Sequence, residues 1–176
     1  ERAIQHMKTT AKYSVFYGEG RDSYDVWGRT AHESIFNVKD GNFRCPGTQQ
    51  GYSGFSTWTR GLAWAMCGFA EQLELLDTIA EEELNSLGGK KSLSAFMLKA
   101  AKATCDFYIN NTPIDGVPYW DTGAPDLHLM GDYLSRPADP YDATEPVDSS
   151  AAAIASQGLL RLGQYLKTKG ETEAGD

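Results

Sequence analysis

The stretch QGYSGFSTWTRGLAWAMCGF, residues 50–69, carries the signal that decides the fold class. From its first tryptophan onward, large apolar residues recur every three or four positions, which is the period of one face of an α-helix. The pattern predicts a helix over about residues 56–82. Its buried stripe should consist of Trp58, Leu62, Met66, Phe69, Leu73 and Leu76.

Three further segments carry the same period, so the chain is predicted to be all-α. They cover about residues 2–14, 92–110 and 149–167, and Asp148 or Ser149 can cap the last of them. Between the first two helices, residues 29–45 alternate around Lys39–Asn42, which indicates a short hairpin. Residues 112–147 hold six of the seven prolines and are expected to form a long irregular connection, a kind of segment that often carries function.

Composition limits the function classes. The 176 residues are enough for one domain with a core, and their formal net charge of -8 argues against a nucleic-acid surface. No apolar run reaches the roughly 20 residues of a membrane span. Of the three cysteines, Cys67 and Cys105 are expected to be buried thiols. No motif indicates a metal or an organic cofactor.

The predicted second helix has a second face that core packing does not explain. Arg60 lies one turn before Trp64, so both project away from the stripe, beside Gly61 and Gly68. Such a pair can be an inert surface contact. It can also form a site for a sugar acid. Tryptophan offers a flat apolar surface to a sugar ring, and the arginine guanidinium can donate two parallel hydrogen bonds to a carboxylate. Gln50, in the polar stretch before the helix, can present an amide to hydroxyls.

Several motifs resemble those of the unsaturated glucuronyl hydrolases, glycoside hydrolase family 88. They are TQQGYSGFSTWTRGLAWAMCGFA, DGVPYWDTGAP and DSSAAAIASQGLLRL, in the family's order, preceded by AIQHMKTT and RTAHESIFNVKDG. The resemblance covers nearly the whole chain. It implies an (α/α)6 toroid of six helical hairpins. It also implies hydrolysis of oligosaccharides that end in a 4,5-unsaturated uronic acid.

Matching motif by motif, the resemblance implies a set of residues that contact the sugar. Two positions depart from the family pattern: Leu62 replaces a glutamine, and Gly54 replaces an acidic residue. The first change falls on the core stripe, and the second is expected to alter the loop or the preference for the leaving group. The implied substrate contacts are His32, Gln50, Trp58, Arg60, Trp64, Tyr119, Ser149 and Ser150.

Other polar residues are interpreted as structural. His6 shares a face of the first helix with Thr10 and is expected to be structural. Asp121 is expected to accept hydrogen bonds in a loop, and Asp148 to cap a helix. His128 is expected to be solvated.

The family's acid/base aspartate belongs to a motif that would precede Glu1. The resemblance therefore predicts that residues 1–176 are the middle-to-C-terminal part of one toroid domain, truncated at both ends, and inactive alone. Its partners would be the remainder of the toroid and the unsaturated oligosaccharide, with a homo-oligomer left open. The compartment, cytoplasmic or periplasmic, is also left open.

The sequence is compatible with three alternatives. One is a related unsaturated rhamnogalacturonyl hydrolase, which shares the toroid. Another is a non-catalytic sugar-binding or structural toroid segment. A third, an α-helical interaction protein, is disfavoured because the chain lacks a regular sequence repeat.

Overall fold

The structure is a computed structural model that describes residues 1–175. In that range it contains six α-helices and one small antiparallel sheet. The helices are α1 (Arg2–Tyr13), α2 (Thr59–Thr78), α3 (Glu81–Leu84), α4 (Lys90–Asn110), α5 (Ser149–Thr168) and α6 (Thr172–Gly175); the strands are β1 (Glu33–Phe36) and β2 (Phe43–Gly47). Short 3-10 turns occupy Asn85–Leu87 and Leu127–Met130.

The four helices expected from the sequence are confirmed, with one difference at the end of α2. The backbone becomes extended at Ile79 and Ala80, so the predicted helix splits into α2 and α3. The ammonium group of Lys90 donates to the carbonyl oxygens of Asp77 at 3.0 Å and of Ile79 at 2.8 Å. These bonds satisfy acceptors that the interrupted helix leaves without partners.

The core forms where α2 packs against both α4 and α5. Five of the six residues predicted for the stripe of α2 are fully buried, and each contributes about 2 kcal/mol through removal of its side chain from water. Trp58 departs from the prediction, since it lies just before the helix and is only half-buried. Cys67 and Cys105 are buried free thiols, as expected, and Cys45 is exposed. The buried stripe residues are Leu62, Met66, Phe69, Leu73 and Leu76.

The predicted hairpin is also confirmed. Strands β1 and β2 pair antiparallel, and the Asn37 amide donates to the Asn42 carbonyl oxygen at 2.8 Å to close the turn. The buried hydroxyl of Thr57 bonds the backbone of Thr30, to N at 3.2 Å and O at 3.1 Å. This pair of bonds fixes the segment that leads into β1 against the start of α2.

The long connection of residues 112–147 brings the starts of α2 and α5 together. The Trp120 carbonyl oxygen accepts from the Thr59 amide, and the Trp120 amide donates to Pro146, both at 3.1 Å. The Asp148 amide donates to the Pro118 carbonyl oxygen at 2.7 Å. The start of α2, the segment around Trp120 and the start of α5 are distant in sequence, and these bonds bring them together at one end of the helices.

The described residues form neither a membrane-spanning helix nor a cluster of metal-ligating side chains. No helix within residues 1–175 has the length and apolar character needed to cross a membrane. In the same range, no three His, Cys, Asp or Glu side chains come close enough together to hold a metal ion.

Candidate functional site

A groove lies between α1, the segment before β1, and the first turns of α2. Its volume is about 360 Å³. Among the described residues that line it, none is acidic, so nothing in this lining repels an anion. The lining is His6, Met7, Thr10, Ser14, Val15, Thr30, Ala31, His32, Trp58, Gly61, Trp64, Ala65, Gly68 and Phe69.

Two indole rings line the groove. Trp64 is 59% exposed although it is a large apolar residue within α2. The Trp58 ring lies 4.7 Å from the imidazole of His32, between ring centroids. Two accessible tryptophans beside a histidine form a surface that suits a ring-shaped ligand with one apolar face.

Gly61 makes room for Trp58. A Cβ atom at Gly61 would lie 2.7 Å from Cε3 of the Trp58 ring, whereas a Cβ at Gly68 would meet nothing within 4 Å. The glycine of the TRGLAW motif therefore allows the indole to lie across the first turn of α2.

These two glycines give a matched pair of variants. Alanine favours a helix over glycine by about 1 kcal/mol, so Gly68→Ala is expected to stabilise the protein by up to about that amount. Gly61→Ala is expected to lose this gain because the Trp58 ring must move. Thermal unfolding of both variants checks the difference, and equal stabilisation would contradict the packing of Trp58 on Gly61.

His32 is held in one orientation by the loop that contains Gln50. Its Nδ1 atom accepts from the backbone amides of Gln49 at 3.2 Å and of Gln50 at 3.4 Å. Because Nδ1 is an acceptor, the neutral ring carries its proton on Nε2 and can donate from there. His32 is thus hydrogen-bonded to the backbone of Gln50, and Gln50 itself is exposed to solvent.

Arg60, expected to project on the same side of the helix as Trp64, pairs with Asp148. Its Nε and Nη2 atoms bond Oδ2 of Asp148 at 3.0 and 2.9 Å. Its guanidinium lies 5.9 Å from the Trp58 ring centroid and is not part of the groove lining. The side chain remains 43% exposed, so it is partly open to solvent near Trp58.

Asp148 caps α5 and orients Arg60. Its carboxylate accepts from the Ala151 amide and from the Ser150 hydroxyl, both at 2.8 Å. Burial acts to raise the pKa of Asp148, but these donors and Arg60 outweigh it and hold the pKa below its usual value. Ser149 and Ser150 are exposed at the first turn of α5, beside this ion pair.

The comparisons with known proteins point to one family. No protein-family model matches the chain. An unsaturated glucuronyl hydrolase of Formosa agariphila is 30% identical over 169 residues, which are 95% of this chain and 32% of that protein. Another, of Bacillus sp. strain GL1, is 34% identical over 137 residues, 77% of this chain and 28% of that protein. This chain is homologous to the unsaturated glucuronyl hydrolases.

A solved structure gives the fold. The unsaturated glucuronyl hydrolase from Bacillus sp. GL1 matches with a TM-score of 0.59 at 25% identity, over 96% of this chain and 36% of that one. The helices are therefore arranged as in part of the (α/α)6 toroid of the unsaturated glucuronyl hydrolases. The chain spans about a third of the length of the curated relatives it matches.

Tyr119, expected as a substrate contact, lies away from the groove. Its side chain is 4% exposed and packs in a second hydrophobic cluster, with its ring 5.6 Å from that of Tyr133. Its carbonyl oxygen accepts from the Thr59 hydroxyl at 2.8 Å. The side chain thus packs in the cluster and not in the groove lining, and the backbone of this residue connects the long loop to α2.

Asp121 and His6 were both interpreted as structural, and the structure places only His6 in the groove lining. Asp121 is fully buried and accepts from the amides of Tyr52 and Gly123, both at 2.9 Å, as expected of a loop acceptor. His6 is exposed and lines the groove together with Thr10 and Ser14. The spacing of four positions between these residues, two in α1 and Ser14 directly after it, was the signal that could have placed them on one polar face.

The two departures from the family pattern have local explanations. Leu62 is 1% exposed in the core, as expected from its place in the stripe. A Cβ atom at Gly54 would lie 2.8 Å from the Pro46 carbonyl oxygen. The loop after Tyr52 therefore passes too close to β2 to accept a side chain there without moving.

Proposed function

We propose that the full-length protein hydrolyses oligosaccharides whose non-reducing end is a 4,5-unsaturated uronic acid. The observation that carries the proposal is the groove in which Trp58, Trp64 and His32 meet without a carboxylate, beside the exposed side of Arg60. The relatives named unsaturated glucuronyl hydrolase support the same substrate end. The solved relative is described as responsible for the degradation of glycosaminoglycan, which favours that polymer class.

The residues of this chain would bind and orient the sugar. Trp58 and Trp64 would cover the ring and exclude water from it. His32 would donate from Nε2 to a sugar oxygen, since Nδ1 is already bonded to backbone amides. Arg60, with Ser149 and Ser150 at the start of α5, would attract the uronate carboxylate from one side of the groove.

The proposed chemistry starts with protonation of the C4=C5 enol ether at C4 by an aspartic acid. Water adds at C5, and the resulting hemiketal opens and releases the rest of the saccharide. This differs from glycosidases that use two carboxylates at the glycosidic bond. The described lining of the groove has no acid, so the proton donor would come from a part of the full-length protein outside this chain.

Loss of the ultraviolet absorbance of an unsaturated uronyl disaccharide tests the proposal. The full-length protein is expected to remove the absorbance, and residues 1–176 produced alone are not. Absence of any loss with the full-length protein would overturn the enzymatic proposal and favour a non-catalytic sugar-binding role.

A variant tests the assignment of the groove. Trp64→Ala is expected to lower kcat/KM by about 10- to 100-fold, because removing a ring contact and readmitting water costs about 1.4 to 2.7 kcal/mol. Leu160→Ala is the control, since Leu160 is 74% exposed on α5 and does not line the groove. Equal kinetics for both variants would remove Trp64 from the site.

A further inference from the structure

A second cavity lies outside the groove and shares no lining residue with it. Its volume is about 560 Å³, and it lies between residues 23–29, residues 52–56 and the end of α4. We call it the aromatic pocket, because the rings of Tyr24, Tyr52 and Phe55 line it. The proposed reaction uses none of these residues.

The three rings are exposed although they are large and mainly apolar. Tyr24, Tyr52 and Phe55 are 59%, 53% and 45% exposed. The Tyr24 and Phe55 rings are 5.5 Å apart and tilted by 43°, so they form two walls of one corner. Accessible aromatic rings that line one cavity are a common feature of ligand sites.

One buried arginine holds both walls in place. Arg29 is 3% exposed, and its guanidinium donates to the Phe55 carbonyl oxygen at 2.8 Å and to Oδ2 of Asp22 at 2.6 Å. The other oxygen of Asp22 accepts from the Tyr24 amide at 2.8 Å. The two loops that carry the rings are therefore connected through one ion pair, and a ligand need not order them when it binds.

The rest of the lining offers no uncompensated charge that would favour a charged ligand. Arg29 is the charged residue of the described lining, and Asp22 already compensates it. The other polar groups include the hydroxyls of Ser23 and Ser53 and the amide of Asn111. Flat apolar rings combined with hydroxyl and amide groups match an uncharged pyranose, which has an apolar face and hydroxyls at its edge.

We infer that the aromatic pocket is a second saccharide site, which binds an uncharged pyranose unit. The choice of a saccharide rests on the proposed function, whereas the location and the lack of charge rest on the pocket itself. The pocket would hold a neutral part of a glycan, separately from the uronic acid in the groove.

Saturation-transfer NMR with the full-length protein and cellotetraose tests the inference. Cellotetraose has neither a carboxylate nor a C4=C5 bond, so it lacks both features that the groove is proposed to recognise. Transfer to the ring C–H protons is expected. Phe55→Ala should weaken binding about tenfold, as expected for loss of one ring contact. Tyr24→Leu, which keeps bulk but removes the ring, should do the same if Phe55→Ala fails to fold.

Two controls locate the binding. Tyr141→Ala removes an isolated ring that is 93% exposed, and Trp64→Ala alters the groove; neither should change the transfer. Absence of transfer, or transfer that depends on Trp64 and not on Phe55, would overturn the inference. If the full-length protein removes the absorbance of the unsaturated disaccharide but shows no saturation transfer to cellotetraose, only the inference about the aromatic pocket is overturned. If it shows transfer that depends on Phe55 but does not remove the absorbance, only the proposed function is overturned.

Discussion

Replacing Gly28 with alanine is expected to destabilise the full-length protein by at least about 4 kcal/mol, from backbone strain and overpacking together. Gly28 has a φ of +82°, in the region that side chains disfavour. A Cβ atom there would overlap the Ala103 carbonyl oxygen and lie 2.6 Å from Cβ of Phe107. Both neighbours belong to α4 in the core, so neither can move cheaply.

Gly20→Ala is the matched control for Gly28→Ala. Gly20 has a similar φ of +75°, but an added Cβ would meet nothing within 4 Å. This variant should cost only the backbone strain, about 1 kcal/mol. Thermal unfolding of both variants separates strain from overlap, and similar losses would contradict the close approach of residue 28 to α4.

The position of Gly28 also matters for function. It comes directly before the segment that places Arg29 in the aromatic pocket and His32 in the groove. Its amide donates to the Phe16 carbonyl oxygen at 2.9 Å, which fixes the start of that segment. A clash at Gly28 is therefore expected to displace groups of both sites as well as to lower stability.

Asp148→Ala is expected to destabilise the protein by about 3 kcal/mol, through loss of a helix cap and of a largely buried ion-pair partner. The Asp148 carboxylate is 3% exposed and joins the start of α5 to Arg60 on α2. Removing it leaves the Ala151 amide without its acceptor and releases the guanidinium. Ser150→Ala, which removes only one donor to the carboxylate, should cost about 1 kcal/mol or less. Equal losses for Asp148→Ala and Ser150→Ala in thermal unfolding would contradict this role.

The pH dependence of stability gives a second test of Asp148. Because its pKa is lower in the folded protein than in the unfolded chain, folding favours the ionised form. This stabilisation is fully present above the unfolded pKa of about 3.9 and is lost as pH falls through the folded pKa. The wild-type advantage over Asp148→Asn should therefore shrink in acid below about pH 4. An advantage that stays constant with pH would show that the charge of Asp148 contributes nothing.

Much of the fold could be predicted because it depends on local periodicity. The stripe of α2 from Leu62 to Leu76 was predicted as core and is buried, since residues at helical spacing necessarily share one face. The hairpin around Lys39–Asn42 followed from alternation and turn residues. The break at Ile79 was not predicted. It depends on hydrogen bonds from Lys90 to carbonyl groups at the end of α2, and Lys90 belongs to another helix, so the local pattern of residues 56–82 does not reveal it.

The candidate site was only partly predictable. Trp58, Trp64 and His32 do meet in one groove. The sequence placed Arg60 beside Trp64 because they are one turn apart, yet Asp148, 88 residues away, draws the guanidinium to the start of α5. His6 was interpreted as structural from its place beside Thr10 on the first helix, and only packing brings α2 near enough for His6 to line the groove with Trp64.

The sequence by itself determined which segments are helical, which face of each is buried, and the motifs that reveal the homology. These follow from short-range geometry and from residue identity. Only the tertiary structure decided which side chains come together: that Tyr119 packs in the second cluster, that Arg60 pairs with Asp148, and that the Tyr24 ring lies beside that of Phe55. The reason is physical, since a long polar side chain can reach several partners, and its choice depends on distances set by packing between elements remote in sequence.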